Sequence, residues 1–154
     1  MSKTQKYAWL SLAASGLIYL FFQMRMLDGW RVAEHSAGAL VGTYLTVVIM
    51  AIIAEALIAG LVFASDRRAG VDRDERDHAI DARAEANAGL FLAAALNIIV
   101  IHALAVQAFT GHGFAAAGEA LILETPAQIF FILFSVLFAS HWVKLVSALY
   151  LYSK

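Results

Sequence analysis

The chain has 154 residues, of which 62% are hydrophobic and only 15% charged, against roughly 45–50% apolar and about 25% charged in soluble domains. A soluble domain of this size has no core large enough to hide that excess, so composition points to a bilayer as the solvent. A net charge of −1 gives no case for nucleic acid, and the lack of cysteine excludes disulfides, thiolate metal sites and thiol catalysis.

In chain order, the opening MSKTQK runs into an apolar stretch that resembles the start of a signal peptide. The stretch continues to about Phe22 with no small-x-small cleavage site after it, so it reads as an uncleaved first span over about 7–23. Further apolar runs cover about 39–64, 86–109 and 126–152. Crossing about 30 Å of hydrocarbon takes about 20 apolar residues in a helix. Lipid offers backbone groups no partner, so each run is expected to be helical, and all are too long for barrel strands. The first outer loop mixes Arg25, Asp28, Arg31, Glu34 and His35 with Trp30, an interfacial anchor by type. The second, 110–125, has apolar stretches at 114–117 and 120–123 that predict a short helix on the membrane surface. Thr125 is expected to cap the fourth helix and Pro126 to open it.

The 66–85 stretch, DRRAGVDRDERDHAIDARAE, is the chain's only long polar segment, and it separates two halves of two apolar runs each. An even number of spans puts this linker (65–85) and both termini on one side. That side carries Lys3, Lys6, Arg67, Arg68, Arg73, Arg76, Arg83 and Lys154, and the other only Arg25 and Arg31. Basic residues of short loops stay in the cytoplasm. The expectation is an all-α, up-down, four-helix membrane bundle, a single domain over 1–154, with cytoplasmic N- and C-termini.

From Asp72 the linker reads as a helix that runs unbroken into the third span. Asp72 can cap it, and Asp72–Arg76 and Arg73–Asp77 are spaced for ion pairs. Arg76, Ile80, Arg83 and Ala84 are expected to share a face against the cytoplasmic ends of the other helices. Asp72-x-Asp74 begins like a calcium loop, but Arg76 occupies a ligand position and the sixth-position glycine is missing. Asp74, Glu75 and Arg76, then Ile80, then Arg83 and Ala84, fit the pattern D-E-R-x-x-x-I-x-x-(K/R)-A. This resembles the pattern that small bacterial integral-membrane proteins of unknown function carry between their second and third spans. The resemblance covers about eleven residues and implies a multi-pass protein of the bacterial inner membrane. It supplies no catalytic residue. The segment has two readings: a salt-bridged extension that fixes topology, or a docking surface for a cytoplasmic partner or second copy.

Ionisable residues inside spans are costly and mark function by default. Glu55 lies in the second span, Asn97 and His102 in the third, and His141 and Lys144 in the fourth. Glu55, with Ala51 and Ala59 a turn away on either side, is expected to pair with Lys144 at comparable depth, with His141 beside them. This cluster fits a structural ion pair, a proton or cation pathway, a lipid or quinone headgroup pocket, or a Lys144 that snorkels to the interface. Phe131, Phe134, Phe138 and Trp142 form a stripe that faces either lipid or another helix. Asn97 and His102, five residues apart, cannot face one seam; His102 belongs either at a subunit interface or bonded to a neighbouring backbone. The two intramembrane histidines differ in depth by roughly 10 Å, and no span carries His-x-x-x-His or Glu-x-x-His. No metal, haem or other cofactor is expected. Gly38-x-x-x-Gly42 and Gly89-x-x-x-Ala93 suit close helix approach and favour a homo-oligomer. No nucleophile–base pair or phosphate loop appears, so the expected function is non-enzymatic: self-assembly or binding of a membrane or cytoplasmic protein partner. The alternative is a small proton- or cation-coupled transporter or channel using Glu55, His141 and Lys144.

Overall fold

The computed structural model describes residues 3–63, 75–109, 123 and 125–154. In order these form α1 (Lys3–Met26), β1 (Leu27–Asp28), β2 (Arg31–Val32), α2 (Ala37–Phe63), α3 (Glu75–Phe109) and α4 (Pro126–Ser153). Each of the four helices is long and apolar enough to cross a membrane. At about 1.5 Å per residue, the 35 residues of α3 reach roughly 50 Å, well beyond a 30 Å hydrocarbon core. The polar start of α3 therefore extends past the apolar part as one continuous rod, as its helical pattern predicts. Asp72 and Asp74, the rest of the 65–74 linker and the expected surface helix within 110–122 lie outside the described residues.

The centre of the fold is α1. Ala8, Ser11, Ser15, Ile18, Phe22 and Met26 are buried, a three- and four-residue spacing that makes one continuous stripe on a helix. Two neighbours meet that side. α2 runs back along it, with Tyr7 near Phe63 at one end and Phe22 clustered with Val47 at the other. α4 does the same, with Gln5 donating to the Tyr152 carbonyl (3.3 Å) and Phe22 stacked on Phe131. α3 packs on α4, the start of one against the end of the other: Ile80 and Ala84 cluster with Ala148, Leu151 and Tyr152.

The α3–α4 seam is close because small residues line it. Ala84 and Ala88 are buried, and the Ser140 hydroxyl reaches across to donate to the Ala88 carbonyl at 3.1 Å. The glycine motifs take no part in packing within the chain. Gly38, Gly42 and Gly89 face open space, so within the chain they bring no helices together.

Two local structures follow from residues close in sequence. Thr125 accepts from the Gln128 backbone N–H (3.2 Å), and the Gln128 side chain accepts from the Thr125 N–H (3.0 Å), a complete capping box with Pro126 at the first turn. In the first outer loop, β1 and β2 pair antiparallel around Gly29 and Trp30. Gly29 has φ +63°, the value a tight hairpin asks of its first central residue and glycine adopts freely. The fully exposed Trp30 stands at the tip.

Candidate functional site

Glu55 of α2 and His141 of α4 come together with hydroxyls of α1 where these three helices meet. The Glu55 carboxylate is held from α1: Tyr7 donates its hydroxyl to Oε2 at 2.5 Å and Ser11 donates to the same oxygen at 3.2 Å. Tyr7, Ser11, Ser15 and Tyr19 follow one another at four-residue intervals, so one edge of α1 is a ladder of hydroxyls. Higher on that ladder, Trp142 donates its indole N–H to Ser15 (3.0 Å) and Tyr19 donates to Ser135 (3.0 Å). From α4, His141 brings Nε2 to 4.0 Å from Glu55 Oε1.

Beside this cluster lies a partly open cleft of about 210 Å³, lined by Ala14, Ser15 and Ile18 of α1, Ala51, Ala54 and Glu55 of α2, and Phe134, Leu137, Phe138 and His141 of α4. Its walls are apolar apart from Ser15, Glu55 and His141.

The structure thus unites Glu55 with His141 but corrects the Glu55–Lys144 pair. Lys144 turns to α3 and forms its ion pair with Glu85. His141 and Lys144 are three residues apart, about 60° around a helix. That offset is enough to give one to the α2 side of α4 and the other to the α3 side. The aromatic stripe is an interhelical seam. Phe131, Phe134 and Phe138 pack on Phe22, and Phe138 and Trp142 on Tyr19.

On α3, Asn97 is exposed and its side-chain amide donates to the Ala93 carbonyl of its own helix at 2.8 Å. His102 is half-buried and has an interaction partner of its own. The Asp74–Ala84 motif divides. Ile80 and Ala84 are buried in the α3–α4 seam, whereas Glu75, Arg76 and Arg83 are exposed. Arg76 and Arg83 therefore do not join the packed face expected of them, and Asp74 lies outside the described residues. Ala88, one further turn along, completes that face instead.

Tyr7, Ser11, Ser15 and Glu85 went unnoticed in the sequence. The four-residue hydroxyl spacing of α1 was the available signal for the first three. Glu85 carried none, because its partner depends on which helix flanks α4. Among the described residues, no three His, Asp or Glu side chains gather as metal ligands. Compared with models of known protein families, with curated proteins and with solved structures, the chain finds no match.

Proposed function

We propose that this chain is a non-enzymatic building unit of the bacterial inner membrane, up-down in topology with cytoplasmic termini, that assembles with a second copy of itself through α3. The observation that carries the reading is Asn97. Its amide sits within an apolar span, on the side of α3 turned away from the bundle, and bonds only to its own helix. A primary amide both donates and accepts, so the group best suited to satisfy it in hydrocarbon is another copy of itself across a two-fold axis.

The flanking residues support this. Leu90, Ala93, Asn97, Ile101 and Leu104 recur at three- and four-residue spacing, and all are exposed. This is a seam of coiled-coil type with one polar position, the kind that fixes register and partner number. The exposed Arg76 and Arg83 near the start of the same helix remain in water on the cytoplasmic side and act as topology anchors.

Because the natural chain lacks cysteine, single-cysteine variants test the seam directly. Ile101→Cys should cross-link to a dimer in native lipid under mild oxidation, and Ile98→Cys, exposed and about 100° around the helix from Asn97, should not. Asn97→Leu should weaken association by about fivefold, ~1 kcal/mol. Equal cross-linking at both positions, or a strict monomer, would sink the reading. A cation route through Glu55, His141 and Lys144 has less support, since Lys144 is committed to Glu85. Proton flux in liposomes that Glu55→Gln abolishes would restore it.

A further inference from the structure

The cleft between α1, α2 and α4 has an uneven supply of hydrogen-bonding groups. The hydroxyl and indole donors there are already engaged. Tyr7 and Ser11 are spent on Glu55 Oε2. Ser15 donates to the Leu12 carbonyl (3.2 Å), Tyr19 to Ser135, and Ser135 to the Phe131 carbonyl (2.7 Å). Trp142 is spent on Ser15. Acceptor capacity is left over. Glu55 Oε1 meets His141 only at 4.0 Å, outside hydrogen-bonding reach, and accepts no hydrogen bond among the described residues.

Charge follows the same pattern. The cation of α4 that lies nearest His141 in sequence, Lys144, is neutralised by Glu85. A carboxylate in apolar surroundings must be compensated by a proton, an imidazolium or a visiting cation. We propose that this cleft is a binding site for a small amphiphilic ammonium ion, whose N–H donates to Glu55 Oε1 while its apolar body lies against Ile18, Ala51, Phe134, Leu137 and Phe138.

Competing ligand classes fit less well. A hard metal ion asks for about six oxygens, and the cleft offers one carboxylate oxygen. A quinone head brings two carbonyls that need donors, and with the hydroxyls and the indole engaged only His141 is left to meet one of them. A phosphatidylethanolamine head would bring its own phosphate close to Glu55. An ammonium ion on an apolar body uses what the cleft has: a free acceptor, a negative charge, and aromatic faces at Phe134 and Phe138 that attract cations. At about 210 Å³ the space lies below the roughly 300–1,000 Å³ of drug-sized pockets. The occupant therefore carries one ring or a short chain. This site goes beyond the assembly reading and does not rest on it, since no residue of the α3 seam lines the cleft.

The test is equilibrium binding of 2-phenylethylammonium to the full chain in phosphatidylcholine nanodiscs at neutral pH. The neutral isostere 2-phenylethanol serves as the paired probe and needs no variant. The amine should bind saturably and the alcohol at least about tenfold more weakly. Glu55→Gln should lower amine affinity by a similar factor, Leu137→Trp should fill the space and abolish binding, and Glu34→Gln in the outer loop should leave it unchanged. Helicity measured for each variant separates loss of binding from loss of fold. Equal binding of amine and alcohol, unchanged affinity in a folded Glu55→Gln, or no saturable amine binding by the natural chain would each overturn the proposal. Dimer cross-linking through Ile101→Cys is read separately, so failure of either idea leaves the other standing.

Discussion

Phe22 shows how one residue can hold three helices in lipid. It is fully buried, and the rings of Phe130, Phe131, Phe134 and Phe138 all lie within 5.0–6.5 Å of it, centroid to centroid. In a bilayer the hydrophobic effect cannot drive this contact, because lipid tails are as apolar as the partner helix; van der Waals packing must supply it. Phe22→Ala should then cost less than the 3–5 kcal/mol seen in aqueous cores, about 1–3 kcal/mol, since only the packing part is lost. Leu17→Ala, on a 69% exposed side chain of the same helix, should change stability by less than about 0.5 kcal/mol. Unfolding both variants in mixed micelles of increasing SDS fraction measures the difference, and equal costs would mean that α1 is not central. At this scale the sequence marked Glu55 and His141 plainly, because any ionisable group in a span stands out. Their true partners were harder to read. Tyr7 and Ser11 look like ordinary span residues until their four-residue spacing is set against a carboxylate on the next helix.

Helix ends and turns were the most legible elements, because their signals are local. Thr125, Pro126 and Gln128 form the start of α4 through bonds made within four residues. No neighbouring helix is needed to specify them. Thr125→Ala removes the acceptor for the Gln128 N–H and should destabilise the protein by about 1 kcal/mol. Thr125→Ser, which keeps the hydroxyl, should restore most of it. Thermal unfolding in detergent reads both, and an unaffected Thr125→Ala protein would show that the cap adds nothing at this site. The hairpin turn, with Gly29 at its first central position and Trp30 at its second, is also a local signal, yet it is hidden in a sequence full of charges that suggest only a loop. Rotation of a helix about its own axis is the opposite case. Whether Lys144 faces Glu55 or Glu85 is decided by about 60° on α4 and by which helix flanks it, and neither is written in the local sequence. For the same reason the aromatic stripe could be recognised but not assigned to lipid or protein.

At the scale of the molecule, four apolar runs were enough to foresee four helices long and apolar enough for a membrane. They did not give the packing order, in which α1 and α4 are central and α2 and α3 flank them. That order is set by the aromatic seam between α1 and α4 and by small residues and hydroxyls at the other seams, and the latter occur on every face of alanine-rich helices. It leaves α3 packed along α4 and α2 along α1, with Tyr44 of α2 also reaching Phe130 and Phe134 of α4. Orientation rests on a different kind of information. Eight basic residues fall on the side of the termini and the 65–85 linker, and two on the other. Loops rich in Lys and Arg stay in the cytoplasm, so this surplus predicts cytoplasmic termini. Within the bundle, α1 runs against α2 and α4, and α4 against α3, so both ends of the described chain emerge at one end. On a chain without cysteine, Ser153→Cys and Glu34→Cys report the two sides separately. A membrane-impermeant maleimide applied to intact spheroplasts should label Glu34→Cys and reach Ser153→Cys only after permeabilisation. Labelling of Ser153→Cys in intact spheroplasts would reverse the orientation and move Arg76 and Arg83 out of the cytoplasm. Labelling of both would show a mixed insertion that the charge asymmetry is too weak to direct.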